Sequence, residues 1–282
     1  MSLPEDLPAP PGAVTETVAG ADGAPRQRVR FGNLWVDALT FEGAIDEIDK
    51  LVAEGNGGSI FTPNVDHVVN VEKNPAFRAA YEAARLSLVD GQPLVWASRL
   101  LGVPLPDKIS GSDLLLPLMR RAAHKRWRVY LLGGMPGVAE KAGSILREQH
   151  GVEIVGVDAP MITFTETPSE EEAVVDRVIA ARPDLVLVAM GSPKQEVWMH
   201  RAEAWLRPAV SIGIGASLDF IAGTVKRAPK WMSKNGLEWL FRLAQEPRRL
   251  ARRYLVNDPK FLFVLTRTLM DPPGERKQLD ER

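Results

Sequence analysis

Apolar positions fall into two alternating rhythms along this chain. Val29–Val36, Ser59–Pro63, Leu86–Val89, Arg128–Leu132, Glu153–Val157, Leu185–Met190 and Val210–Ile214 have the length and composition of strands. Between them, Thr40–Ala53, Asn64–Asn70, Pro75–Ala84, Ser110–Lys125, Pro136–His150, Ser169–Ala181 and Lys194–Leu206 read as helices. Thr40 and Ser110 or Ser112 are natural N-caps, and Pro136 suits a first turn. Leu185–Met190 is apolar without a break, as expected of a strand covered on both faces. The alternation predicts an α/β fold, a Rossmann-like, mainly parallel sheet flanked by helices. After Gly223 the strand rhythm stops, and the remainder reads as helix only, interrupted at Pro229, Asn235-Gly236, Pro247 and Pro259. The expected organisation is a Pro-rich disordered leader over 1–26, an α/β catalytic domain over 27–225, an all-helical appendage over 226–270 and a loose tail over 271–282.

Composition narrows the chemistry. The 282 residues are 45% hydrophobic and 25% charged, which is ordinary for a globular chain. There is no cysteine, which excludes disulfides, thiolate metal sites and cysteine nucleophiles. The four His show no paired spacing and no DxD triplet occurs, so no metal and no cofactor is expected. No apolar run reaches the length of a membrane span, and the N-terminus lacks a signal-peptide pattern. The net charge of −1 conceals an asymmetry. Residues 226–268 hold 11 basic and 3 acidic side chains, +8 against −9 for the rest, and Trp231, Trp239, Phe241, Tyr254, Phe261 and Phe263 are interleaved among them. Such a block suits a polyanionic partner, and the aromatics favour an anionic membrane surface over nucleic acid. A solvated helical pair is the plainer explanation.

In a parallel sheet, ligands bind beyond the carboxyl ends of the strands. That directs attention to the short segments after each predicted strand. In Thr62-Pro-Asn-Val-Asp-His, Thr62 and Asn64 can hydrogen-bond a sugar, or Asn64 can cap a helix. Asp90, followed by Gly91 and Gln92, serves equally as a general base, a ribose ligand or an N-cap. Gly133-Gly134 can turn backbone N–H groups towards a phosphate, yet the stretch is neither a Walker loop nor GxGxxG. In Gly191-Ser-Pro-Lys-Gln-Glu196, Lys194 supplies a cation and Gln195 an amide that donates and accepts at once.

Taken in order, these blocks resemble a known family. Thr62-Pro-Asn-Val-Asp-His, Val89-Asp-Gly91, Ser110-Gly-Ser-Asp-Leu114, Leu132-Gly-Gly134, Gly191-Ser-Pro-Lys-Gln-Glu196 and Gly213-Ile-Gly-Ala-Ser-Leu-Asp-Phe-Ile-Ala-Gly223 are followed by Arg227-Ala-Pro-Lys-Trp231, Gly236-Leu-Glu-Trp-Leu-Phe-Arg242, Glu246-Pro-Arg-Arg249 and Arg252-Arg-Tyr254. The chain resembles the WecG/TagA/CpsF glycosyltransferases, family 26, over roughly residues 29–268. The resemblance implies an inverting transferase that moves N-acetylmannosamine, its uronic acid or glucose from a UDP-sugar to an undecaprenyl-diphosphate-linked saccharide in cell-surface polysaccharide synthesis. It also implies a cytoplasmic enzyme peripheral on the inner face of the membrane. Asp90 corresponds to the proposed base, and Thr62, Asn64 and Gln195 to pocket residues. The basic tail closes over the site, which makes Arg227, Arg248, Arg249, Arg252 and Arg253 candidates for the departing diphosphate. Where family members often carry Arg just before the Ser-Gly-Ser-Asp block, this chain has Lys108, which keeps the charge without the bidentate fork. Two other readings stay open: a different nucleotide-dependent α/β enzyme, and a non-enzymatic membrane or nucleic-acid adaptor. A homo-oligomer is also left open.

Overall fold

The computed structural model describes residues 14–160 and 169–270, apart from the side chains of Ser169, Lys230, Lys234 and Arg249. The expected 271–282 tail and residues 1–13 of the expected leader lie outside the described residues. Among the described residues, nine strands form two sheets. β1 (Thr15–Ala19), β2 (Pro25–Phe31) and β3 (Leu34–Asp37) make a small antiparallel sheet. β4 (Gly58–Phe61), β5 (Leu86–Ser87), β6 (Arg128–Gly133), β7 (Glu153–Asp158), β8 (Leu185–Ala189) and β9 (Val210–Gly213) make a second sheet, in the order β5-β4-β9-β8-β6-β7 with every pairing parallel.

The period of two along each strand divides the core. Tyr130, Leu132, Val186 and Val188 join the hydrophobic cluster on one face, while Val129, Leu131, Leu185 and Leu187 join the cluster on the other. Helices cover both faces, so β4, β8 and β9 are buried along their whole length. Local caps start several helices where the sequence predicts. The Thr40 hydroxyl accepts from the Gly43 N–H at 3.1 Å, and the Ser110 hydroxyl accepts from the Asp113 N–H at 3.1 Å.

Two expectations are corrected. The stretch Val29–Val36 is not one strand. Gly32, at φ +63°, turns it into a hairpin between β2 and β3, and the buried positions pass from Val29 and Phe31 to Leu34 and Val36, a one-residue shift of phase across the turn. Residues 15–19 and 25–26, assigned to the leader, are strand, because β1 pairs with β2 along its length. The hairpin sheet is clipped beside β5 by Asp37, whose buried carboxylate accepts from the Ser87 N–H at 2.6 Å and pairs with Arg26 at 2.8 Å.

The C-terminal segment adds a contact that the sequence pattern did not reveal. The C-terminal all-helical segment expected after 225 is present, and its last helix, Phe261–Met270, packs one side into the core. Phe261, Val264 and Leu265 are buried in the cluster that contains Phe31, with the two phenyl rings 6.3 Å apart. The Thr268 hydroxyl accepts from the Gly32 N–H at 2.8 Å, and Arg267 pairs with Glu72. Gly32 leaves room for this seating, since a Cβ there would lie 2.5 Å from Val264. Replacing Phe261 by Ala is expected to cost about 3 kcal/mol, read as a lower midpoint in urea unfolding. A midpoint within error of wild type would show that this helix is only peripheral.

Candidate active site

The parallel sheet sets the ends of β4, β5, β8 and β9 along one edge, and the following loops knit together there. The Asp90 N–H donates to the Pro63 carbonyl at 2.7 Å, joining the loops after β4 and β5. The Thr62 hydroxyl reaches the Gly213 carbonyl at 3.4 Å, joining β4 to β9. Gln195 joins β8 to β9. Its Oε1 accepts from the Gly215 N–H at 3.2 Å, and a Cβ on Gly213 would lie 2.8 Å from its Nε2.

Asp90 is not a cap. The helix Gln92–Leu100 begins at Gly91, φ +104°, with no side chain bonded to its first turn. Asp90 therefore stands at the sheet edge as a half-buried residue whose carboxylate caps no helix. Burial raises its pKa to about 6, helped by Glu238 and Asp113 and opposed by Lys108 and Arg242. Two of these neighbours, Glu238 and Arg242, come from the C-terminal helix Glu238–Gln245.

The other acidic candidates are engaged. Asp113 accepts from the Ser110 hydroxyl at 2.7 Å, pairs with Lys108 at 3.0 Å and pairs with Arg227. Burial pushes its pKa up, but these three partners outweigh that and hold it below the usual range. Asp66 pairs with Arg253 at 3.6 Å. Asp90 thus differs from both: its pKa is raised to about 6, whereas Asp113 is held down and Asp66 is ion-paired.

The C-terminal segment reaches this edge through a polar bridge. Lys108 also donates to the Ser233 hydroxyl at 3.1 Å, Ser233 donates to Glu238 at 3.1 Å, and Glu238 lies 3.6 Å from Arg242. Arg242 in turn covers the Phe220 ring. The turn at Gly236 sits on the helix Gln92–Leu100, where a Cβ would lie 2.8 Å from the Trp96 ring and 3.3 Å from Gln92 Cβ. Further on, Arg253 donates to Asn64 Oδ1 at 2.9 Å. Asn64 also caps its own helix, accepting from the Asp66 N–H at 3.1 Å.

The residues selected from the sequence thus divide. Thr62, Asn64, Asp90, Gly91, Gln92, Lys108, Gln195 and Arg227 belong to this linked edge. Gly133 and Gly134 lie at the end of β6, beyond β8. A Cβ on Gly133 would lie 2.7 Å from the Ala189 carbonyl carbon, and the Gly134 N–H is taken by the Ala189 carbonyl at 2.9 Å, so the first serves strand packing and the second is spent within the protein. Gly191 turns the chain at φ +76° after β8, and Lys194 is exposed at the start of the helix Lys194–Leu206. Arg248 and Arg252 are exposed, and Arg249 has no described side chain. Sequence reasoning missed Glu238 and Arg242. Their i,i+4 spacing inside the Gly236–Arg242 block was the available signal. It also missed a buried group formed by Glu196, His67 and Tyr81. Among the described residues, no cluster of three His, Asp or Glu is arranged to hold a metal.

The outer surface of the C-terminal helices is apolar where water would be expected. Leu255, Leu262, Phe263 and Met270 are exposed, Phe263 by 78%, although the opposite side of Phe261–Met270 is core. No helix among the described residues is long and apolar enough to cross a membrane.

This edge of an α/β fold holds the Asp90 carboxylate beside basic side chains of the C-terminal segment, an arrangement that suits group-transfer chemistry. Residues 29–274 match the Glycosyl transferase WecG/TagA/CpsF family, and the chain belongs to that family. It is also similar to the N-acetylglucosaminyldiphosphoundecaprenol N-acetyl-beta-D-mannosaminyltransferase of Bacillus spizizenii (strain ATCC 23059 / NRRL B-14472 / W23), 33% identical over 213 residues, which are 75% of this chain and 80% of that protein.

The polar bridge makes a prediction. Asp113→Ala releases Lys108 and Arg227 together. Hydrogen exchange across 226–245 is expected to speed up several-fold, with β6 unchanged. Equal exchange in variant and wild type would mean that Asp113 does not hold the cover.

Proposed function

We propose that the protein transfers N-acetylmannosamine from its UDP-sugar to an undecaprenyl-diphosphate-linked N-acetylglucosamine, with inversion, at the inner face of the cytoplasmic membrane. The observation that carries this reading is Asp90, a carboxylate that caps nothing and has a pKa of about 6. The similarity to the Bacillus spizizenii mannosaminyltransferase supports the sugar and the acceptor. In the proposed step, an acceptor hydroxyl oxygen forms a bond to the anomeric carbon of the donor. Its proton passes to Asp90, and the bond from that carbon to the diphosphate breaks with its electron pair leaving on UDP. A base matched to neutral pH contributes roughly 10²–10⁴-fold.

The departing diphosphate gathers negative charge as its bond breaks, and the cations around Asp90 answer it. Lys108, Arg227, Arg242 and Arg253 are the candidates, since each is already held near the strand ends. Thr62, Asn64, Gly91, Gln92 and Gln195 are proposed to line the donor and acceptor subsites. A role for Gly133, Gly134, Gly191 and Lys194 with the nucleotide is part of the same proposal, with Gly191 and Lys194 close to Gln195 in the chain. Exposed Arg248 and Arg252 suit the headgroups of an anionic bilayer better than the diphosphate. Leu255, Leu262, Phe263 and Met270 supply apolar area for the same surface.

Two experiments test this. Asp90→Asn keeps shape but cannot take a proton. Turnover with UDP-N-acetylmannosamine and a lipid-linked N-acetylglucosamine acceptor is expected to fall roughly 10²–10⁴-fold. UDP affinity by calorimetry should stay within about threefold, because Asp90 meets the acceptor. Near-wild-type turnover would remove Asp90 from the mechanism. For the membrane, Leu262→Glu with Phe263→Glu alters two exposed positions without touching the core. The wild type should float with phosphatidylglycerol liposomes at low salt and release at high salt, while the double variant stays in solution. Equal flotation would contradict docking through this helix.

A further inference from the structure

Glu196 is fully buried, at 0% exposure, one residue after Gln195 in the first turn of the helix Lys194–Leu206. A carboxylate in a first turn is ordinarily solvated, where it complements the helix dipole at little cost. Here it is not. Its Oε1 accepts from Gln195 Nε2 at 2.8 Å, and its Oε2 has no hydrogen-bond partner. Neither oxygen is ion-paired to a cation. The nearest ring nitrogen, His67 Nδ1, is 4.0 Å away and already bonded to the Tyr81 hydroxyl at 2.6 Å. Burial, with Arg253, pushes the His67 pKa down to about 3, so this imidazole is neutral and does not compensate the acid. A buried carboxyl without a countercharge is costly, and a hydrophobic side chain of similar volume is often as stable or more so. Stability therefore does not account for Glu196.

Its geometry does. An amide side chain can be turned either way, and the two orientations present opposite chemistry. Gln195 has both ends specified. The Gly215 N–H requires the carbonyl oxygen on one side, and Glu196 Oε1 requires the NH₂ on the other. Turned over, Gln195 would set an NH₂ against an N–H and a carbonyl against a carboxyl oxygen. The Gly213–Gly215 loop after β9, which Gln195 holds, lines the same edge as Thr62 and Asp90. We propose that Glu196 is a positioning residue: its buried carboxyl oxygen fixes the Gln195 amide in one orientation and thereby shapes the β8 and β9 loops that receive the sugar donor. This rests on the reading that Gln195 lines the donor subsite. It requires only that residue 196 offer an acceptor. Burial raises the Glu196 pKa to about 7, and the carbonyl oxygen of a protonated carboxyl still accepts.

The test separates acceptor, charge and packing. Glu196→Gln retains an acceptor, so the donor KM is expected to rise no more than about threefold. Glu196→Met fills the space without one. It is expected to unfold no earlier than wild type, yet to raise the donor KM about tenfold or more, with kcat less affected. Gln195→Ala should raise the donor KM by itself, and Glu196→Met should add nothing to it in the double variant. A normal donor KM in Glu196→Met overturns the proposal. So does Glu196→Gln as impaired as Glu196→Met, which would indicate proton chemistry. Additive effects in the double variant overturn it too, since Glu196 would then act by another route. A normal KM in Gln195→Ala alone instead removes Gln195 from the donor subsite. If Glu196→Met does not fold, the reversed pair decides. Gln195→Glu should be impaired, and adding Glu196→Gln should restore it by letting the new NH₂ donate to the new carboxylate. No recovery overturns the proposal.

Discussion

Burial of Phe261, Val264 and Leu265 against the hairpin ties the end of the chain to its beginning. That constraint governs the rest. The last strand of the parallel sheet ends at Gly213, and the core position of Phe261 lies beside β2 and the helix Val65–Val71. Everything between must run from one place to the other, and the Lys108–Ser233 and Arg253–Asn64 bonds show its course along the carboxyl edge of the sheet. A parallel sheet gathers its ligand-binding loops on that same edge. The cover over the site is thus a consequence of where the chain has to finish.

Electrostatics follow from this path. The segment brings Arg227, Arg242 and Arg253 to an edge that already carries Asp90 and the first-turn acids Asp66 and Asp113. Asp113 and Asp66 find cationic partners. Asp90 instead has both Glu238 and Arg242 within electrostatic reach, and burial decides the outcome, raising its pKa. Three like groups thus play different parts. Two carboxylates pair with arginines of the C-terminal segment, and the third, Asp90, is the one proposed to exchange a proton. The same cover has an outward face whose apolar residues, Leu262 and Phe263 among them, leave it unsuited to water alone.

Much of this was legible in the sequence. The unbroken apolar run of β8 announced a strand covered on both faces, and the alternation of strands and helices announced the parallel sheet. The segments after β4, β5, β8 and β9 could be singled out because a parallel sheet fixes where ligand loops lie. The ordered blocks from Thr62 to Tyr254 carried the family. Other features depend on tertiary partners that local pattern does not encode. Val29–Val36 hid its turn because only Gly32 and Asn33 separate two apolar runs, and the one-residue shift of phase from Phe31 to Leu34 is a weak signal in so short a stretch. Phe261 and Phe263 look alike in a basic aromatic segment, yet one is core and the other is surface. Arg253 stands among Arg248, Arg249 and Arg252, and only the fold brings it to Asn64. Glu196 reads as a solvated first-turn acid until the helix is packed, when its carboxyl proves to be enclosed.

The central claim is that an unpaired Asp90 carboxylate accepts the proton of the transfer. The pH dependence of kcat/KM tests it most directly, because that ratio reports ionisations of the free enzyme. The base must be ionised to act. With its pKa at about 6, kcat/KM should be low in acid, climb through a half-maximum near pH 6 and level off above it. A profile that stays flat down to about pH 4.5, close to the range of an ordinary aspartate, would contradict the account.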